Sequence, residues 1–288
     1  MLLSFLNRQG VPEKSKLTDG LSSLKKRITN GNYENPLSEF NRVENVFETI
    51  KEWALARDDE ELANSLVVFK AYFRLFGNLA EYLNLLSFGQ YRASWDSLQD
   101  CLDCARFVGR FTPIERRLDI PDIIELLEDY EQLYPFSVFF STEFVITKSH
   151  CSICGRSMQD LSCPHRRNQL YRGEIAVEVV DEVSEFQAVC LVSHPEDKKC
   201  VLDNVDGKAP SFQMLEEFLD FSLPRLQRFT IEKKIERKLN QDLKNIGRNS
   251  PCICGSGLKF KKCCGRDLYY DHLRCKVIPG KLVNLAMM

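Results

Sequence analysis

Four cysteines within a short segment near the carboxyl end restrict this chain more than any other feature. They form two pairs, one C-x-C and one C-C, with eight residues between the pairs. A structural zinc ion takes four thiolate or imidazole ligands in a tetrahedron, and two short pairs joined by a turn supply that arrangement. The intervening Gly255-Ser256-Gly257 permits a sharp turn and can point amide hydrogens at the sulfurs. The segment is too small and polar to bury four thiols as core, so we predict one zinc ion held by Cys252, Cys254, Cys263 and Cys264.

A second group of ligand residues lies in the middle of the chain. It consists of a C-x2-C pair followed by a C-x-H pair. The spacing predicts a Cys3His zinc site formed by Cys151, Cys154, Cys163 and His165. Two other interpretations stay open at this point: His150 in place of His165, or a reduced loop without metal. A full ligand set leaves no position for water, so we expect both zinc ions to be structural rather than catalytic.

The other cysteines and the amino terminus indicate the compartment. The apolar amino terminus runs for only about six residues before Asn7, which is too short for a signal-peptide core or a membrane span. We therefore expect a cytoplasmic protein without a membrane span, in which the twelve cysteines serve as ligands or core residues rather than in disulfides. Cys101 and Cys104 form another C-x-x-C pair, but they extend the apolar face of a predicted helix, so we interpret them as core residues.

The carboxyl-terminal cysteine segment resembles a known zinc module. Residues 247–265 read Gly-Arg-Asn-Ser-Pro-Cys-Ile-Cys-Gly-Ser-Gly-Leu-Lys-Phe-Lys-Lys-Cys-Cys-Gly, which is similar to the SEC-C motif found at the carboxyl end of the SecA translocation ATPase and in many bacterial proteins. The resemblance implies the same four zinc ligands and a recognition module, which in SecA contacts a chaperone and the ribosome. The chain has no G-x-x-x-x-G-K-[ST] loop, so the resemblance does not extend to ATPase activity.

Charge is distributed unevenly around this module. The formal net charge is -2, yet residues 225–266 hold twelve Lys or Arg against three Asp or Glu, a net of +9. The remainder of the chain carries -11. A basic carboxyl-terminal segment therefore follows an acidic body, which is a candidate footprint for an anionic partner.

Hydrophobic patterning predicts an α+β multidomain fold. Apolar residues recur at three- and four-residue steps in four stretches of the first 135 residues, beginning after Asn35-Pro36, at about 61, at Tyr91 and after Pro121. These stretches predict an α-helical amino-terminal domain over 1–135, in which a polar lead-in through about residue 34 comes before the first helix.

The second half of the chain differs from the first in composition and hydrophobic patterning. Residues 136–210 are rich in β-branched and aromatic residues and predict a small β domain that carries the Cys3His site, with a turn at Asp181–Glu185. Residues 211–246 are interpreted as a helical connector, with one helix to Leu223 and a second running to about Ile246. The zinc knuckle then occupies 247–266, and residues 267–288 form a tail.

These features favour a binding protein over an enzyme. His194 and His272 lack a nucleophile elbow or phosphate loop, and no other catalytic constellation is evident. We expect a non-enzymatic adaptor that recognises a protein partner through the knuckle residues Lys259, Phe260, Lys261 and Lys262. One alternative is an RNA- or ribosome-binding factor that uses the basic 225–266 segment. Another is an accessory subunit of an enzyme complex.

Overall fold

The structure is a computed structural model of the 288-residue chain, and it describes residues 5, 7–35, 38–112, 120–204, 209–221 and 225–285. Helices and small antiparallel sheets coexist, which confirms the α+β class. The chain divides into two compact units, one formed by residues 1–228 with 281–288 and the other by residues 229–280.

The helical part of the first unit contains α1 (Lys14–Thr29), α2 (Ser38–Leu55), α3 (Glu60–Ser87), α4 (Tyr91–Arg110) and α5 (Ile120–Glu131). The central helix is α3, which buries side chains on several sides because α2 and α4 both pack against it. Its first turn is capped by the Asp59 carboxylate, which accepts a hydrogen bond from the Leu62 amide. The four predicted helices are confirmed, although Pro36 and Pro113, used to place their ends, lie outside the described residues.

Helix α1 was not predicted, and the polar lead-in is wrong over residues 14–29. The helix is hydrophilic overall but buries a single stripe, consisting of Leu17, Gly20, Leu21, Leu24 and Ile28. These positions repeat at three- and four-residue steps, as expected for one buried face of a surface helix. The many lysines and serines on the remaining faces concealed the pattern.

Two long strands form the main sheet of the first unit. Strand β1 (Phe139–Cys151) pairs antiparallel with β4 (Glu178–Val192) to form a two-stranded ribbon, hereafter the first ribbon. The predicted turn at Asp181–Glu185 is wrong, because β4 runs through it without interruption. Acidic side chains are tolerated there since both faces of the ribbon are open to water along most of its length.

The first ribbon is held at both ends. At one end, Phe139 is buried against Trp95, and the Trp95 indole donates a hydrogen bond to the Lys198 carbonyl over 2.7 Å. At the other end lies a short hairpin of β2 (Leu170–Tyr171) and β3 (Glu174–Ile175). The buried Asn64 of α3 binds this hairpin by donating to the Leu170 carbonyl and accepting from the Gly173 amide. Helix α6 (Gln213–Phe221) completes the first unit and confirms the first of the two connector helices.

The second unit is built on another two-stranded ribbon. Strand β5 (Gln227–Leu239) pairs with β6 (Tyr269–Leu282), hereafter the second ribbon. The second connector helix is therefore wrong over residues 227–239, and part of the predicted tail is a strand. Phe229, Ile231, Ile235 and Leu239 all stand at odd positions, so a two-residue period fits them as well as a helical one. The pairing partner lies about thirty residues further along, and local spacing cannot reveal it.

None of the described helices is long and apolar enough to cross a membrane.

The unpredicted helix α1 gives a direct test of the helical packing. Replacing Leu24, which is 1% exposed, by Ala removes buried apolar surface and leaves a cavity, so we expect the free energy of unfolding to fall by about 2–5 kcal/mol. Lys26→Ala changes an exposed position of the same helix and should shift the free energy by less than about 0.5 kcal/mol. Urea unfolding followed by circular dichroism measures both, and equal effects would show that α1 does not pack as described.

Candidate metal centres

The carboxyl-terminal cysteine cluster, hereafter the knuckle site, is built on a tight backbone framework. Pro251 and Lys259 form a β-bridge, and the Cys252 amide donates to the Leu258 carbonyl over 2.8 Å. Gly255 and Gly257 both adopt positive φ, 75° and 70°, in the turn between the ligand pairs. Two 3-10 turns, Phe260–Lys262 and Cys264–Arg266, then deliver the second pair.

The four sulfurs of the knuckle site are spaced for a tetrahedral ion. Cys254 Sγ lies 3.4 Å from Cys252 Sγ and 3.5 Å from Cys263 Sγ, and Cys263 Sγ lies 3.9 Å from Cys264 Sγ. Sulfurs bound at 2.3 Å to one tetrahedral ion stand about 3.8 Å apart. All four cysteines are free thiols, and their ligand atoms lie within 4.8 Å of one another. The cluster can therefore close around a metal ion with little movement.

Hydrogen bonds lower the pKa of one thiol of the knuckle site and raise the pKa of another. The side chain of Ser256, helped by its backbone amide, lowers the pKa of Cys254 to about 6. Hydrogen bonding to Cys252 raises the pKa of Cys264 to about 12, because its proton is shared with neighbouring sulfurs. The protein thus supports thiolate character at one edge of the cluster before an ion binds.

One predicted contact residue of the knuckle is placed differently from expectation. Lys259, Lys261 and Lys262 are exposed, whereas Phe260 is only 3% exposed. A Cβ on Gly265 would come within 2.8 Å of Phe260, so this ring packs into the module where Gly265 leaves room. The prediction of Phe260 as a contact residue is therefore wrong. Ile253 and Leu258 are the exposed apolar side chains instead, at 64% and 50% exposure.

The second cluster, hereafter the ribbon-end site, lies where β1 ends. Cys151 is the last residue of β1, and its amide donates to the Arg156 carbonyl over 2.7 Å. Gly155 has a φ of 70° and donates its amide back to the Cys151 carbonyl, which closes the C-x-x-C turn. The second ligand pair follows in the loop before β2, where the Cys163 amide donates to the Asp160 carbonyl.

The structure brings together the four residues predicted for the ribbon-end site. Cys151 Sγ lies 3.6 Å from His165 Nδ1, and Cys154 Sγ lies 3.6 Å from Cys163 Sγ. All four ligand atoms lie within 4.8 Å of one another. His150, the alternative ligand, instead pairs across the ribbon with Asp181 over 2.8 Å. The donor set of three thiols and one imidazole suits a tetrahedral ion.

Two residues that support the ribbon-end site were missed by sequence reasoning. The Tyr171 ring packs edge-on against His165 with centroids 4.7 Å apart, and Asn64 ties the hairpin that carries Tyr171 to α3. Asn64 is distant from the cysteines in sequence, and Tyr171 is not a metal-binding residue type, so ligand spacing did not identify either of them. The sequence signal for Asn64 is an amide among the apolar residues of a predicted helix, since a buried amide requires hydrogen-bond partners.

The remaining C-x-x-C pair belongs to the helical core. Cys101 is fully buried in α4, and burial raises its pKa well above the usual range. Burial also raises the pKa of Cys104 to about 11. Thiols in this state are unreactive. Within the described residues, neither belongs to a metal-binding group, in agreement with the prediction of a core role.

Comparison with known proteins assigns a motif to the knuckle site. Residues 248–266 match the SEC-C motif, so the resemblance found from the sequence is confirmed for this segment. The match covers a small part of the chain. No solved structure matches the chain significantly.

Similar proteins match over a short segment. A UPF0225 protein of Vibrio parahaemolyticus is 58% identical over 36 residues, which is 12% of this chain and 22% of the relative. The protein translocase subunit SecA of Syntrophotalea carbinolica is 54% identical over 35 residues, covering 12% of this chain and 4% of SecA. SecA of Elusimicrobium minutum is 76% identical over 25 residues, 9% and 3% of the two chains. The chain thus spans about a fifth or less of the length of these relatives.

The two clusters predict a metal content of two ions per chain. We expect Cys263→Ser to lose one equivalent and Cys154→Ser to lose the other, because each cluster lacks a spare thiol to replace the ligand. Elemental analysis by mass spectrometry after extensive dialysis measures the content.

Cys190→Ser is the matched control, since Cys190 is an exposed cysteine outside both clusters. It should keep both ions. Full metal content in either cluster variant, or a loss in the control, would contradict the assignment.

Proposed function

We propose that this chain is a zinc-binding, non-enzymatic adaptor whose knuckle recognises a protein partner. The observation that carries the proposal is the combination at the knuckle site of a closed ligand set and an exposed apolar and basic surface. The ion maintains the fold of the module, and the side chains around it make the contact.

The ligand chemistry supports zinc as the ion at both sites. Thiolates and imidazole are soft or borderline donors, which favour zinc over the oxygen-seeking calcium and magnesium. Each cluster supplies four donors, so a zinc ion there has no open position for a reacting water. A structural role at both sites follows from this.

The knuckle surface has the composition of a small protein-binding site. Ile253 and Leu258 expose apolar surface, and Lys259, Lys261 and Lys262 are exposed in the same short module. Apolar side chains within a charged rim are typical of protein interfaces. Such a surface fits an acidic partner with an apolar pocket. The SecA relatives that match this segment are protein translocase subunits, so a similar knuckle occurs in proteins that act on other proteins.

A second candidate function is RNA or ribosome binding. It is favoured by the second ribbon, where β5 exposes Lys233, Lys234, Arg237 and Lys238. Against it, Glu232 is exposed on the same strand, and Phe260 is buried and so unable to stack on a base. A role as an accessory subunit of an enzyme complex is a special case of the adaptor proposal, because it requires the same kind of contact.

The contact surface can be tested without disturbing the metal site. We expect the double variant Ile253→Ser/Leu258→Ser to keep its zinc yet to lose at least about tenfold in the recovery of specific partners, since it removes the apolar centre of the surface. Quantitative mass spectrometry of proteins cross-linked in cells to tagged wild type and variant provides the measurement.

Phe88→Ser is the control, because Phe88 is 71% exposed and lies on the helical part of the first unit. It should retain every partner that the wild type recovers. Equal recovery by the knuckle variant and the wild type would refute contact through Ile253 and Leu258.

The RNA alternative is decided by a salt titration. Binding that depends on phosphate contacts weakens steeply with salt, so the adaptor proposal predicts no saturable binding of bulk RNA at physiological salt. Fluorescence anisotropy with a labelled RNA measures this. Tight binding that falls steeply with salt, and that weakens in Lys233→Ala/Lys234→Ala, would favour the RNA function instead.

A further inference from the structure

The first ribbon carries an apolar face. Alternate residues of β1 oppose apolar or uncharged residues of β4 in four cross-strand pairs, which are Phe140 with Leu191, Thr142 with Val189, Phe144 with Phe186, and Ile146 with Val183. Alternate residues of β1 point to the same side of the sheet, and directly opposed residues share a face, so these eight side chains share one face. The register shifts twice along this face, where the pairing skips Gln187 and Ser184 of β4. None of them is charged.

The opposite face of the first ribbon is different. Its pairs are Ser141 with Cys190, Glu143 with Ala188, and Val145 with Glu185. Each pair contains a polar or charged residue, as expected for a surface in contact with water. The ribbon is therefore amphipathic, and only one of its faces is suited to burial.

The apolar face is open in the single chain. The three phenylalanines at its centre, Phe140, Phe144 and Phe186, are 38%, 46% and 59% exposed. Ile146, Val183, Val189 and Leu191 are 41% to 60% exposed. A two-stranded ribbon is marginally stable in water unless a face is covered, and exposed apolar patches of this size mark interaction sites.

The ribbon that carries this face is anchored at both ends. Phe139 is buried against Trp95 at one end of the ribbon, and Cys151 at the other end is fully buried in the ribbon-end site. A surface held at both ends loses little conformational entropy when it is covered.

We propose that the apolar face of the first ribbon is covered by the same face of a second copy of this chain, in a symmetric dimer. A face without charge is complementary to itself, which a two-fold contact requires. The seven apolar residues each have a total surface of about 150–200 Å², and about half of it is exposed in the single chain. Together they therefore offer about 600 Å² of exposed surface per copy. Two copies then bury about 1,200 Å², which reaches the range of stable protein interfaces.

Charge also favours this occupant. Glu143 and Glu185 stand on the opposite face and turn toward water when the apolar faces meet. Beyond Ile146, the next pair is Lys148 with Glu182, in which the two charges oppose each other within one copy. Like charges of the two copies are thus kept out of the buried area.

Sedimentation velocity over a dilution series, in reducing buffer with zinc, tests the proposal on the full chain. The expected mass at high concentration is twice 33.3 kDa. Phe144→Thr/Phe186→Thr should raise the dimer dissociation constant at least about 100-fold, because each substitution is present twice in a symmetric contact. Threonine keeps the strand propensity of these positions. Retained zinc at the ribbon-end site would show that β1 still places Cys151 among the other three ligands.

Val145→Thr is the matched control on the opposite face of the same strand, and it should leave the dissociation constant unchanged. Wild type that stays monomeric at every concentration overturns the proposal, and binding of an apolar dye to that monomer would assign the face to another partner. A dimer that is unaffected by the double variant also overturns it, since the contact would then lie elsewhere. Loss of dimer together with loss of zinc calls for Val189→Thr/Leu191→Thr, and a dimer that is as tight as wild type in that variant counts against the proposal.

Discussion

Closure of a two-stranded ribbon at one end by a cluster of metal ligands is the constraint on which much of this structure depends. Two antiparallel strands alone are marginally stable in water, because they bury little and leave both edges open. In the first unit, β1 ends at a ligand of the ribbon-end site. In the second unit, the knuckle lies in the segment that connects β5 to β6, and the Asn240 amide donates to the Leu268 carbonyl at its base.

The second unit needs this closure more than the first. Among the side chains that the structure describes between 229 and 280, the buried apolar ones are Phe229, Cys252, Phe260 and Val277. So small a core cannot offset the entropy lost when about fifty residues become ordered. One of the four buried residues, Cys252, is itself a candidate ligand. An ion bound at the knuckle site would therefore supply folding energy that packing does not provide, as in other small zinc modules. The helical part of the first unit, with its buried α3, has no such need.

Sequence reasoning succeeded where spacing alone determines the outcome. The two cysteine clusters assemble from the predicted residues because short C-x-C, C-C and C-x-x-C pairs bring ligands together within a single turn. Helices α2 to α5 were visible because their buried faces repeat within one segment. The choice between His150 and His165 needed the structure, since only the pairing of β1 with β4 shows that Asp181 engages His150.

The errors have a common physical origin in non-local pairing and in the environment of each side chain. Strand β5 was taken for a helix because its apolar residues fit both periods, and its partner β6 is distant in sequence. Phe260 was placed on the surface because sequence does not show that Gly265 leaves space for its ring. Helix α1 was hidden by the polar residues around its single buried stripe.

The most direct test of this account is hydrogen exchange of the backbone amides in residues 229–280, measured by mass spectrometry on the full chain with zinc bound and after chelation. The account predicts that β5 and β6 lose their protection when zinc is removed, while α3 keeps its protection, because only the second unit relies on the ion for its core. Unchanged protection of β5 and β6 in the zinc-free protein would contradict the claim that the knuckle site holds this unit together.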